Sequence, residues 1–206
     1  MKRIFITFEG IEGCGKSTQS RLLKEFLEES GVPVMHTREP GGPKISEEIR
    51  KILLSNDNAE MVPETELLLY MASRSQHTAE WIIPALDEGK LVISDRYYDS
   101  TLAYQGAARK LDRSIIDVIT KFATYNLVPD LTILIDLPAE KGLSRIHVDV
   151  ADRLESESMD FHRKVREGFL DLANEEKERY LIVDGTGSID EIHSQIISAV
   201  KTRFLS

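Results

Sequence analysis

The sequence predicts an α/β fold in which a five-stranded, mainly parallel sheet carries helices on both faces. Three observations lead there. Short apolar runs rich in β-branched residues recur at Ile4–Phe8, Val32–Met35, Leu91–Ile93, Leu131–Ile135 and Tyr180–Val183. Segments with helical periodicity separate these runs. The runs also lack the polar alternation of a half-exposed sheet, so both faces must be covered. Right-handed crossovers then put helices on either side and ligands at the carboxyl ends of the strands.

The first strand runs into Gly10-Ile11-Glu12-Gly13-Cys14-Gly15-Lys16-Ser17-Thr18, and residues 10–17 fit the G-x-x-x-x-G-K-[ST] phosphate-loop pattern. Glycines at 10, 13 and 15 let backbone N–H groups curl inward, and the helix that follows aims its positive dipole end at an anion. Leu22, Leu23, Phe26 and Leu27 keep helical spacing as far as Gly31, the expected C-terminal cap. A nucleoside triphosphate is the implied ligand. Lys16 is placed to reach its β- and γ-phosphates, and the Ser17 hydroxyl to meet the accompanying Mg²⁺. Cys14, the single cysteine, reads as a small filler within the loop; it cannot form an intramolecular disulfide, and no Cys/His spacing resembles a zinc site.

The second strand leads into Arg38-Glu39-Pro40-Gly41-Gly42, and the third ends in Asp95-Arg96. Both arginines fall where the fold places ligands. Two guanidinium groups there would hold an acceptor phosphate by bidentate contacts and offset the charge of two anions brought together. Between these strands a helix is expected over Pro63–Glu88, where Tyr70 and Arg74 share one face. Further helices are expected at Arg113–Tyr125, Glu157–Glu176 and Ile189–Phe204. The last has Ile189, Ile192, Ile196, Ile197 and Val200 on one face and a capping box in Ser188 and Glu191. The polar stretch from about 145 to 154 is short of strong structure signals and reads as a mobile lid.

A length of 206 residues predicts a single domain spanning 1–206. Hydrophobic content of 41% and charged content of 30% are those of a soluble protein, and no apolar run approaches the ~18 residues of a membrane span. No membrane partner is expected. The net charge of −9 argues against a nucleic-acid surface. Strand residues begin almost at Met1, which leaves no room for a secretory signal and predicts a cytoplasmic location.

Three blocks, Phe8-Glu9-Gly10-Ile11-Glu12-Gly13, Arg38 to Gly42, and Asp95-Arg96-Tyr97 followed by Ser100 and Ala103-Tyr104-Gln105-Gly106, stand in this order. Together they resemble the motifs of thymidylate kinases, within the nucleoside monophosphate kinases of the P-loop type, along essentially the whole chain. The resemblance implies a three-layer P-loop NTPase-type fold, transfer of the ATP γ-phosphoryl to dTMP to give dTDP with Mg²⁺, and a homodimer. It further implies that Glu12 accepts a hydrogen bond from the deoxyribose 3′-hydroxyl and that Arg38 and Arg96 clamp the acceptor phosphate. Asp95 would orient Arg96 or a metal-bound water. Tyr70, where the family usually has Phe, would stack on thymine, and Arg74 would donate to thymine O4, disfavouring the amino group of cytosine. Thr101 and Gln105 fall where the family contacts the base, and Tyr104 where a ring crowds out a ribose 2′-hydroxyl. Ser100 either joins this site or only caps a helix beginning there.

Members of the family supply a further arginine from the phosphate loop or from the lid. Gly13 occupies the loop position, so the lid should provide it. Ile146-His147-Val148-Asp149 replaces the arginine-rich run common in such lids and leaves Arg145 and Arg153 as candidates, with Arg153, in Asp152-Arg153-Leu154-Glu155, the better match. Another nucleoside or nucleotide kinase is the alternative reading. A nucleotide-dependent switch is a weaker one, because the guanine-reading Asn-Lys-x-Asp pattern is absent.

Overall fold

The computed structural model describes residues 3–145 and 151–205. Its sheet is parallel throughout: β1 (Ile4–Glu9), β2 (Val34–Arg38), β3 (Leu91–Asp95), β4 (Leu131–Asp136) and β5 (Tyr180–Asp184) lie in the order β2-β3-β1-β4-β5. The chain leaves β1 towards one edge, returns to pair β3 with β1, then crosses to β4 on the other side. That reversal opens the crevice at the carboxyl ends of β1 and β3 in which such sheets bind ligands.

The continuously apolar central strands are buried as predicted. Ile6, Ile93 and Ile133 are fully buried, each removing apolar surface worth about 2 kcal/mol from water. Helices α1 (Lys16–Glu29), α2 (Lys44–Leu54), α3 (Pro63–His77), α4 (Ile83–Asp87), α5 (Tyr98–Thr101), α6 (Arg113–Ala123), α7 (Ala139–Leu143), α8 (Met159–Glu175) and α9 (Ile189–Val200) surround the sheet. Among the described residues no helix is long and apolar enough to cross a membrane.

Several boundaries differ from the sequence reading. β2 starts two residues later than its apolar run, because Gly31 at φ 76° and Val32 close α1, their N–H groups donating to Glu28 O and Leu27 O at 3.0 Å. The strand instead continues through His36, Thr37 and Arg38, held by its ladder to β3, which pairs Arg38 with Asp95. The helix expected over Pro63–Glu88 is interrupted: Thr78–Ile82 widens into a π-turn before α4. Pro84, in the first turn of α4, has no N–H to give the preceding turn, which accounts for the local widening. The last helix likewise ends at Val200 and passes into a π-turn at Lys201–Leu205. The capping box between Ser188 and Glu191 is present. Helices α2 and α7, and the π-helical Leu102–Ala108 that continues α5, had no counterpart in the apolar periodicity.

Candidate active site

The phosphate loop fills the turn from β1 to α1, with Gly10, Gly13 and Gly15 at φ 140°, 68° and 100°. A Cβ on Gly13 would lie 2.2 Å from Gly142 O, so α7 packs on the loop backbone at a distance that excludes any side chain there. Lys16 Nζ folds back to donate to Ile11 O at 3.0 Å. Ile11 itself is buried in the core and serves the loop through its backbone. Cys14 is also buried. Ser17 Oγ donates to Asp95 Oδ2, while Asp95 Oδ1 is buried with no hydrogen-bond partner among the described residues. Asp95 is therefore turned to Ser17, with no hydrogen bond to Arg96.

Arg96 ties this loop to the third strand end. Its Nη1 donates to Gly10 O and Ser100 Oγ, and its Nη2 to Glu12 Oε1 and Tyr104 Oη, at 2.9–3.0 Å. The backbone of Arg96 takes φ 72°, unusual for a residue with a Cβ. Glu9 fixes that turn, accepting from Tyr97 N at 2.8 Å and Ser100 Oγ at 2.6 Å. Burial, with the neighbouring Asp99 adding to it, pushes the Glu9 carboxyl up to about 8. Glu12 behaves oppositely. Burial would raise its carboxyl, but the Arg96 guanidinium, aided by His162, Lys16 and Tyr104, holds it well below the usual carboxylate range. Ser100 lies within α5, whose N-cap is Tyr97, so it is no cap; its hydroxyl belongs to the Glu9–Arg96 cluster.

A cleft opens beside this cluster, lined by Glu12, Lys16, Ser17, Arg38, Tyr70, Arg74, Asp95, Arg96, Ser100, Thr101, Tyr104 and Gln105. Tyr70 and Arg74 share it as their spacing predicted. Arg74 is almost fully committed: Nε donates to Glu39 Oε2 at 2.7 Å, Nη1 to Thr101 Oγ1 at 2.8 Å and Nη2 to Tyr97 O at 3.0 Å. Nη2 keeps a second hydrogen. His77, between Glu39 and Thr37, closes this buried network. Gln105 Nε2 donates to Glu66 Oε1 at 2.8 Å, which leaves its amide oxygen as the end able to meet a ligand donor. Arg38 rests on Glu47 at 3.1 Å, half-exposed at the rim. Arg50 joins the same cleft, donating to Pro40 O at 2.7 Å. It stands on α2, a helix absent from the sequence reading. A sequence signal existed only in hindsight, one helical arginine downstream of the Arg38 block.

The lid arginines separate. Arg153 does not face the cleft: its Nε donates to Leu53 O at 2.9 Å and its Nη2 lies 2.6 Å from Glu66 Oε2, buried. The carboxylate of Glu66, nearly free of solvent, outcompetes the open site for that guanidinium. Arg145 instead donates from Nη1 to Gly13 O at 3.0 Å. Residues 146–150 of the lid expectation lie outside the described residues. A second cleft flanks the other side of the loop, lined by Gly15, Lys16, Thr18, Arg145, Gly185, Ser188 and Ile189. The β5–α9 turn in it was missed as a site, since Gly185-Thr186-Gly187 reads as an ordinary turn.

A phosphate loop at the sheet's switch point, facing a cleft that gathers Arg38, Arg50, Arg74 and Arg96, defines a P-loop kinase whose acceptor is itself an anion. The model of the family described as thymidylate kinase matches residues 8–196, and the chain belongs to that family. It is 50% identical over 203 residues to the thymidylate kinase of Pelobacter propionicus, covering 95% of this chain and 93% of the relative. Over 197 residues it is 51% identical to that of Carboxydothermus hydrogenoformans, with 95% and 96% covered. The crystal structure of thymidylate kinase from Ehrlichia chaffeensis superposes with a TM-score of 0.80 at 36% identity, covering 96% of this chain and 98% of that one. The chain is accordingly a phosphotransferase.

Proposed function

We propose that this enzyme binds ATP across the phosphate loop and the second cleft, binds dTMP in the arginine-lined cleft, and passes the γ-phosphoryl between them to give dTDP and ADP. The observation that carries the reading is Arg96, which hydrogen-bonds both the loop, at Gly10 O and Glu12, and the acceptor cleft, at Ser100 and Tyr104. One guanidinium can therefore feel both anions. The loop N–H groups from Gly10 to Thr18 cradle the triphosphate, and Lys16 exchanges Ile11 O for phosphate oxygen. Thymine stacks on Tyr70, meets the remaining Nη2 hydrogen of Arg74 through O4, and meets Gln105 through N3–H, with Thr101 holding Arg74 in place. The deoxyribose lies against Glu12 and Tyr104, and Arg38, Arg50, Arg96 and Ser100 take the acceptor phosphate.

Ser17 and Asp95 fit a magnesium ion: a hydroxyl and a carboxylate converge beside the loop, and Asp95 Oδ1 is a buried oxygen without a partner among the described residues. Among the described residues no group of three or more His, Cys, Asp or Glu could hold a metal, so an ion held by Ser17 and Asp95 would depend on the triphosphate for further oxygen donors. Bound there, the ion offsets phosphate charge. In the loose transition state charge spreads over the transferring oxygens, where Lys16, Arg96 and Arg145 of the lid can stabilise it.

Incubation of the pure protein with Mg·ATP and each nucleoside monophosphate tests the assignment. dTMP is expected to be the best acceptor, with dUMP slower by ~4-fold for the loss of one buried methyl. Equal or faster turnover of CMP, AMP or GMP would reject it. A second copy of the chain suits the apolar face shared by α3 and α6, where Leu68, Ile115, Val118 and Phe122 are exposed, Phe122 by 83%. We therefore place a homodimer contact there. Light scattering should report twice 23.3 kDa for the wild type and one copy for Phe122→Glu; a monomeric wild type would remove the contact. The single buried Cys14 suits a reducing compartment, the cytoplasm, and recovery of the chain in the soluble cytoplasmic fraction checks this.

A further inference from the structure

His162 stands on α8, outside every motif of the reaction, and its fully buried ring lies against Glu12, a residue of the acceptor cleft. Its Nδ1 lies 3.4 Å from Glu12 Oε2. Among the described residues neither atom has a hydrogen-bond partner elsewhere, and Nε2 of the same ring is also buried and unpartnered. Unpaired polar atoms in such a place are costly unless they serve each other or a ligand. The two oxygens of Glu12 are thus divided. Oε1 is spoken for by Arg96 and Tyr104, while Oε2 faces only the imidazole.

We propose that His162 is a positioning residue for the acceptor sugar. It donates Nδ1–H to Glu12 Oε2 and so fixes the rotation of the carboxylate with which the enzyme meets the 3′-hydroxyl. Phe161, edge-on to the imidazole at 5.6 Å and 88°, limits how the ring can turn. An Nδ1–H donor adds a charge-assisted bond to a carboxylate that carries one negative charge between an arginine and a phenol. Without it, Oε2 has no tether and the carboxylate is held through Oε1 alone. The second cleft, proposed for ATP, includes neither the Glu12 side chain nor His162.

The inference rests on the proposed contact between Glu12 and the 3′-hydroxyl, and the test separates the two. kcat/KM is measured for dTMP and for 3′-deoxythymidine monophosphate with the wild type, His162→Leu, His162→Asn and His162→Gln. One hydrogen bond to a carboxylate predicts that the wild type favours dTMP by ~30-fold. His162→Leu should lower that ratio to ~3-fold or less through dTMP alone, leaving the KM for ATP unchanged. Asn puts an amide nitrogen near the place of Nδ1 and should restore most of the preference; Gln puts it near Nε2 and should not. A wild-type ratio in His162→Leu overturns the role of His162. If that variant fails to fold, as thermal melting will show, equal ratios for the Asn and Gln variants overturn it. A wild type indifferent to the 3′-hydroxyl would remove the Glu12 contact first, and the role of His162 with it.

Discussion

Arg96→Ala should lower kcat/KM for dTMP by ~10³-fold or more, beyond what loss of one phosphate contact costs. That guanidinium donates four hydrogen bonds, to Gly10 O, Glu12, Ser100 and Tyr104. Their removal strips the acceptor phosphate of a cation and leaves the buried Glu12 carboxylate uncompensated. Such an orphaned charge repels the incoming nucleotide as well. Arg96→Lys should recover little, because one ammonium cannot reproduce the two-pronged contact with the loop and with Tyr104. The φ of 72° supplies a control: Arg96→Gly relieves the backbone, so any activity lost in it belongs to the side chain. Steady-state kinetics with separate titrations of ATP and dTMP read the effect. Near-wild-type constants in the Ala variant would take Arg96 out of the clamp.

Gly13→Ala is the second large effect. Its Cβ would sit 2.2 Å from Gly142 O, and its φ of 68° already disfavours any side chain. Either the loop or α7 must move. A loss of ~2–4 kcal/mol in stability is expected from the forced shift of two backbones, together with a rise of ~10-fold or more in the KM for ATP as loop N–H groups lose their aim. dTMP binding should change less, since Gly13 is a single residue of a cleft to which Arg38, Arg96, α3 and α5 also contribute. Gly15→Ala separates strain from collision: φ there is 100°, but nothing lies within 4 Å of a Cβ. Thermal melting and ATP titration check both variants. Unchanged melting and ATP affinity in Gly13→Ala would mean the contact with α7 is dispensable. The same contact explains why this chain carries no arginine at position 13: Gly142 occupies the space where its Cβ would start.

The strand pattern was legible because burial on both faces requires continuous apolar runs, and β1, β3 and β4 carry them. β2 was legible only in part. Its polar second half, His36 to Arg38, takes strand geometry from the ladder to β3, a partner distant in sequence. The phosphate loop could be read residue by residue because local backbone conformation, glycine freedom and the helix dipole act over a few positions. Tyr70 and Arg74 were paired correctly by helical spacing. Arg153, the better motif match of the two lid candidates, points instead to Glu66, and nothing in the linear order of residues announces that 87 positions of chain fold back to make that pair.

Local chemistry along the chain thus settled the sheet, the glycine loop and the strand-end arginines, since each depends on neighbours a few residues apart. Folding alone assigned the Glu9 carboxyl to the turn that follows Arg96, Arg50 to the acceptor cleft, Gly142 to the back of the loop and His162 to Glu12. These depend on which distant groups share a space without water, where a single charge or methyl has few places to go.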